Sequence, residues 1–540
     1  MIIPRFSNLK LVLASAVILA GTPFLCAAED IIKIDKAVLG DSLVGNEWKD
    51  VRRQKRNLAS KILDLLPEKK LSDKDVNAFL KNPANRLLLA RWYFVDSFGN
   101  TVGNAAKSKE KKILFQVLSS EEWLNGFLYS GRLDNAQEFL PLFMKIAAID
   151  HAMPKDPVTR KIATTTAGEF SRQKCYEDSN RALRRYRFFA KSYRENALNS
   201  IFKELDYWDM RIVCGWISHN GPGWDNEISL RWSRDNVKLP EWGYSGGEIH
   251  QLHYRLFSKG GDTVHRADYY KAYEPIFTGK NGVNQAAMAY EVGAVCGGVS
   301  HFGATGAIAN GVPAITMGEP GHCAFATRNN NVWRDNNSIN WRRSTHWTQT
   351  GEREWAFLMA MQDAFGDQKT CLAAMQRIAL AKLFSKTGNE RGAKILAIQA
   401  IETQSNNYLV WQEAVEILNK EKEQSLAVWQ KLNDLAIEGF ASKYSNVAAR
   451  CLQKLVYPQL MPLIENDKKK VETLVSIWKK TEKHGPASWD MESFWDAQKA
   501  LAGNAGTQFV ETTKSALKGK KDYEQIFNNW AAGNPRKEES

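Results

Sequence analysis

Two long stretches of helix-like patterning enclose a middle section of different texture, and that interruption limits what the chain can fold into. From Asp30 to about Tyr207 apolar residues recur at helical spacing, in segments such as Asn135 to Ala148 and Arg181 to Leu205. The latter has no internal Gly or Pro, whereas Pro154 and Pro157 punctuate an interhelical link. Between Asp209 and Trp347, Gly, Asn, Trp and His crowd together, with short strand-like pieces such as Arg211 to Cys214 and Ile228 to Trp232. From Glu352 the helical spacing returns. Leu372, Met375, Ala379 and Leu383 form one stripe, Lys386-Thr387-Gly388-Asn389 a break, and Leu396, Ala397, Ala400 and Ile401 a second stripe.

With 540 residues the chain exceeds one ordinary core, and about two to four domains are expected. The patterning predicts an α+β chain: a helical N-terminal region at 29–207, an α+β core at 208–350 and a helical C-terminal domain at 351–540. Paired helices continue through Trp411 to Leu418 and Ser425 to Phe440, as in tetratricopeptide-like arrays, although no strict repeat period emerges.

The first 28 residues read separately. Arg5 and Lys10 begin a basic segment, Leu11 to Ala20 is apolar apart from Ser15, and Cys26-Ala27-Ala28 precedes Glu29-Asp30. That layout predicts a signal peptide at 1–28, cleaved after Ala28, and an exported protein, periplasmic or extracellular. No later stretch is apolar for about 20 residues, so no transmembrane segment is expected after signal removal. Of the formal +13, two positive charges leave with the signal, giving about +11. Such a charge suits an anionic envelope or extracellular polymer. The lysines and arginines are scattered over helix faces with no arginine–aromatic module, so no specific nucleic acid is expected. Six cysteines remain after Cys26, which is no disulfide framework in so long a chain.

Seven of the nine histidines fall between His219 and His346, which directs the search for chemistry to the middle section. There, Cys296-Gly297-Gly298 precedes a small-residue helix, Val299 to Ala309, that stops at Asn310-Gly311. The positive end of a helix dipole favours a thiolate. Gly321-His322-Cys323-Ala324-Phe325 alternates like a strand, runs into Asn329-Asn330-Asn331, and returns through Val332 to Ile339. A hairpin turn centred on Asn329-Asn330 pairs residues whose numbers sum to 659. Asn337 then faces His322 and Asp335 faces Ala324, all on one side of the hairpin. A nucleophilic thiol needs a base and the base an orienting group, so Cys296, His322 and Asn337 are the expected trio, with Asp335 the alternate third member.

Cys296, Gly311-Val-Pro-Ala314, Gly321-His322-Cys-Ala-Phe325 and Trp333-Arg-Asp-Asn-Asn337 together resemble the transglutaminase-like (papain-related cysteine protease) superfamily, over roughly residues 285–340. The resemblance implies a papain-related α+β core, with Cys296 as nucleophile and His322 as base. Asn337 stands where the superfamily ends its Trp-x-x-x-Asp motif, an asparagine matching the papain branch. It implies no cofactor and a peptide or protein substrate. The backbone N–H of Cys296 is the one oxyanion donor at hand.

Other residues have plainer readings. His301, five helical steps from Cys296, points about 140° away and reads as a core or surface histidine. His250, His253 and His265 lack the carboxylate or thiol company of a metal site, and no metal is expected. Trp208, Trp216, Trp224, Trp232 and Trp242 serve either to pin loops or to form a glycan or peptide platform. Two functions follow: an exported thiol acyl-transfer enzyme on peptide or isopeptide amides, hydrolytic rather than cross-linking, or an inactive binding or scaffold protein using its helices and aromatic cleft.

Overall fold

The computed structural model describes residues 50–533 apart from 174–178, 219–220, 238–273, 280–281, 295, 320–321, 330–331, 337–343, 346–350, 421–423 and 482–490. The expected signal peptide at 1–28 lies outside the described residues, as do His250, His253, His265, Trp242 and Asn337.

Nine helices open the described chain: α1 (Val51–Leu65), α2 (Asp73–Lys81), α3 (Pro83–Phe98), α4 (Asn100–Ala105), α5 (Lys111–Ser119), α6 (Glu121–Leu128), α7 (Ala136–Ile149), α8 (Pro157–Arg172) and α9 (Ser179–Arg194). Their starts are written in side chains. Ser72, Ser120 and Asp156 each accept a backbone N–H three residues on, and Pro83 and Pro157 occupy first helical positions, where no N–H is needed. An aromatic cluster fills the space between α3, α6 and α7, with Phe127 edge-on to Phe94 at 5.5 Å and to Phe143 at 4.9 Å.

Helices α10 (Tyr207–Gly215) and α11 (Glu227–Asn236) occupy the pieces expected to be strands. Two caps decide against the β-rich composition: Asp206 accepts from the Asp209 N–H at 2.8 Å and Asn226 from the Ser229 N–H at 2.9 Å. The single helix expected from Arg181 to Leu205 is likewise broken. Asn196 adopts φ +52°, the Asn199 N–H donates to the Asn310 carbonyl at 2.8 Å, and a 3₁₀ turn follows at Ser200–Glu204. The left-handed Asn196 closes the helix locally, with the Ala197 N–H donating to the Ser192 carbonyl at 2.8 Å.

The α8–α10 contact holds a buried ionic cluster. Glu169 meets Arg211 Nε at 2.8 Å and Arg172 at 2.9 Å, and all three sit at the helix crossing. A methyl on Gly215 would fall 2.2 Å from the Glu169 Cβ, so glycine is what lets the two backbones close. Burial alone would raise the Glu169 carboxyl; Arg172 and Arg211 overcome it and hold it below the ordinary carboxylate value.

The middle section then supplies a small ribbon, β1 (Thr278–Gly279) with β2 (Gly282–Val283), and helices α12 (Gln285–Val292) and α13 (Cys296–Ala309). Four further strands follow: β3 (Ala314–Glu319), β4 (His322–Asn329), β5 (Val332–Asn336) and β6 (Ser344–Thr345). They form one antiparallel sheet in the order β5-β4-β3-β6. The chain as described is therefore mostly helical with a small antiparallel sheet, an α+β arrangement in the general sense.

Helix patterning past Glu352 holds closely. After α14 (Trp355–Gly366), α15 (Gln368–Lys386) and α16 (Glu390–Thr403) turn about Gly388, at φ +81°, and Asn389 caps the Gly392 N–H at 2.8 Å. Met375, Ala379, Leu383, Leu396, Ala397, Ala400 and Ile401 are buried. Further helices, among them α17 (Tyr408–Leu418) and α18 (Leu426–Phe440), continue the array. Lys386 on α15 meets Asp96 on α3 at 2.6 Å, so the C-terminal helices dock on the N-terminal ones. Among the described residues no helix is long and apolar enough to cross a membrane.

Candidate functional site

Helix α13 is made almost entirely of small and apolar residues, and from Val299 to Ala309 every one is buried. That allows an unusually close seat on the sheet. A Cβ on Gly303 would fall 2.2 Å from the Phe325 ring of β4, so a side chain there would push the helix off. The helix stops at Asn310, whose amide donates to the Gly306 carbonyl at 2.8 Å and the Val237 carbonyl at 3.0 Å, and Gly311 turns the chain at φ +81°.

Cys296 is the first residue of α13, half-buried and free. Its backbone N–H belongs to the first turn, which no intrahelical carbonyl satisfies. Its carbonyl accepts from Ser300 Oγ at 2.7 Å. Because the chain reverses between α13 and β3, and again between β3 and β4, β4 runs the same way as α13. Gly303 against Phe325 fixes their relative level. From that contact, seven helical residues back to Cys296 cover about 10 Å. Three strand residues back to His322 cover about the same. The backbones of Cys296 and His322 therefore start at one end of the helix–sheet unit.

Two features of the hairpin differ from expectation. The β4–β5 pairs run Asn329↔Val332, Arg328↔Trp333, Thr327↔Arg334, Ala326↔Asp335 and Phe325↔Asn336, summing to 661 rather than 659. Asn329-Asn330-Asn331 offers two Asn-Asn steps, and the ladder closes one residue later than the sequence arithmetic assumed. Sliding a turn by one residue shifts the pairing by two, which preserves the faces but changes the partners. In this register Trp333 meets Trp355 of α14 edge-on at 5.7 Å. Asp335 consequently pairs with Ala326, not Ala324, four residues and about 13 Å along β4 from His322. The β4–β5 pairing ends at Phe325↔Asn336, and Asn337 lies outside the described residues.

The second feature is parity. His322 has the strand parity of Ala324, Ala326 and Arg328, whereas Cys323 shares that of Phe325, which meets α13. Arg328 forms a buried ion pair with Asp209 of α10. Burial, with Asp206 beside it, pushes the Asp209 carboxyl up to about 7 against the pull of Arg328. Cys323 is half-buried like Cys296.

His301 is a core histidine, 2% exposed, with its Nδ1–H donating to the Gly297 carbonyl at 2.8 Å and its ring 5.8 Å from that of Trp224. Trp208, Trp216 and Trp224 are buried, in keeping with pinning. Among the described residues no group of three or more His, Cys, Asp or Glu is arranged to hold a metal ion.

Sequence reasoning passed over a cavity of about 510 Å³ lined by residues from α3, α6, α10, α14 and α15 and by Tyr129, with Tyr207 and Trp208 among them. No motif marks it, since its residues are scattered from Arg86 to Leu372. Comparison with protein-family models, curated proteins and solved structures returns no match.

Proposed function

We propose that this chain is an exported thiol-dependent acyl-transfer enzyme of the transglutaminase-like kind, acting on peptide or isopeptide amides and releasing the acyl group to water. The observation that carries the reading is the common level of Cys296, at the first position of α13, and His322, at the first position of β4. Cys296 Sγ attacks the amide carbonyl carbon, and His322 takes the thiol proton and returns it to the departing amine. A thioester remains on Cys296. Water, deprotonated by His322, attacks that thioester, releases the carboxylic acid and restores the thiol. The first-turn N–H groups of α13 are suited to the oxyanion of both tetrahedral intermediates. The ordering group is Asn337, which lies outside the described residues; Asp335 is disfavoured by its pairing with Ala326.

A second reading is favoured by one observation, the strand parity of His322 opposite to that of Phe325. On that reading the helix–sheet unit is inert, and the protein binds a peptide or glycan partner through its helices. Iodoacetamide modification at neutral pH, mapped by peptide mass spectrometry, separates the two. The enzyme requires Cys296 to react faster than a model thiol and to lose that advantage in His322→Ala. Labelling at the model-thiol rate in both proteins leaves the scaffold. Export is tested by the N-terminus of the secreted protein, expected at Glu29.

A further inference from the structure

Beneath α10 lies a cavity whose walls have a distinct chemistry. Its volume of about 510 Å³ lies within the range of small-molecule pockets, about 300–1,000 Å³. Aromatic rings form much of the wall. Trp208 stacks on Phe365 at 4.2 Å and 14°, and Tyr207 lies flat on α6 because Gly126 has no side chain; a Cβ there would fall 2.3 Å from the ring.

The polar lining is unbalanced. Glu121, Glu122 and Asp206 face a single cation, Arg86, and Arg86 is already held by both oxygens of Glu121, at 2.6 and 3.1 Å. Arg160 touches Glu122 from outside the lining at 3.4 Å. In a chain of formal charge +13, three carboxylates to one guanidinium runs against the overall composition. The one thiol in the lining, Cys371, is pushed up to about 12 by burial and adds no charge.

Among the buried polar atoms of the lining without a hydrogen-bond partner are the Tyr129 hydroxyl, in a residue 6% exposed, the Tyr207 hydroxyl and Asn125 Oδ1. Leaving such groups unpaired costs about 1–3 kcal/mol each. The Tyr129 ring is fixed by stacking on Tyr93 at 6.0 Å, and the Tyr93 hydroxyl accepts from Lys382 at 2.9 Å, so this hydroxyl is held in place rather than free to seek a partner elsewhere. Asn125 Oδ1 can only accept. Aromatic walls, a lining with three carboxylates to one guanidinium, and an unfilled amide acceptor suit a flat ligand that carries N–H donors.

We propose that this cavity binds a small organic cation, an ammonium or amidinium group on a flat apolar body, with its N–H donors on Asn125 Oδ1 and the carboxylates and its body against Tyr207 and Trp208. The site is independent of any chemistry at Cys296.

The test is isothermal titration of the purified protein with phenethylamine and benzamidine, beside neutral 2-phenylethanol, anionic 3-phenylpropionate and methyl glucoside. The cations should bind saturably at one site, and 2-phenylethanol at least ten-fold more weakly. 3-Phenylpropionate should not bind. Leu372→Trp, which fills the cavity, should abolish binding, and Tyr129→Phe should weaken it several-fold with the melting temperature unchanged or raised. If Leu372→Trp does not fold, the wild-type comparison of cation with neutral isostere still decides. No saturable cation binding, equal affinity for 2-phenylethanol, preference for the glucoside, or binding that survives a folded Leu372→Trp would each overturn the proposal.

Discussion

At the Cys296 end, every residue of interest comes from one stretch of chain, 296–337, whose described part is a helix and a hairpin, and the seat of the helix depends on an absent side chain at Gly303. Around the α10 helix the opposite holds. Glu169, Arg211, Asp209 and Arg328 meet across distant segments, and beside them lies a cavity whose walls run from Arg86 to Leu372. The first region is built by steric fit of small residues, the second by buried charge and aromatic rings. A motif can be legible only where chemistry and sequence are adjacent; convergence of remote side chains leaves no local trace.

The contrast predicts different failures. The largest effect is expected at the charge-built crossing of α8 and α10. Glu169→Gln leaves Arg211 buried beside a neutral amide and should cost about 3–5 kcal/mol in denaturant unfolding. Because the Glu169 carboxyl sits below its ordinary value in the fold, its contribution is present above the unfolded value near 4.5 and is lost as pH falls through the folded one. The wild type should therefore lose stability on acidification below about pH 4.5 more steeply than the variant. Parallel acid profiles would show that the cluster is held by packing, as α13 is.

Gly303→Ala probes the steric region. Its methyl meets the Phe325 ring at 2.2 Å, and overpacking of this kind costs about 1–3 kcal/mol. The displacement lifts α13 from β4, so any enhanced reactivity of Cys296 should fall as well, which mass-spectrometric labelling reads directly. Gly388→Ala is the control. Nothing lies within 4 Å, but φ is +81°, so only backbone strain of about 1 kcal/mol is expected, with Cys296 labelling unchanged. Equal effects at both positions would erase the distinction between close approach and conformational freedom.

The smallest effect is expected from Asp206→Asn. Asn still caps α10, but it removes the charge beside Asp209. Asp209 is raised in the fold to about 7 from 3.8, so the fold binds its proton more tightly than the unfolded chain does. That contribution to stability is fully present below pH 3.8 and is lost as pH rises toward about 7. The variant should show a shallower loss over that window, by up to about 1 kcal/mol, followed as melting temperature against pH. An unaltered slope would mean that burial, not Asp206, holds the carboxyl up.

The helices past Glu352, the α15–α16 break at Gly388-Asn389, the α13 stop at Asn310-Gly311 and the alternation of β4 were all determined by the sequence itself. Each rests on local physics: apolar spacing, a capping side chain, a glycine at positive φ, a two-residue period. Tertiary structure alone decided the rest. Asn329-Asn330-Asn331 permits either turn, and the register found in the fold, with Trp333 against Trp355, pairs Asp335 with Ala326. Helix packing kept the β-rich Arg211–Cys214 and Ile228–Trp232 helical. The cavity belongs wholly to this second kind, because no window of sequence contains the side chains that enclose it.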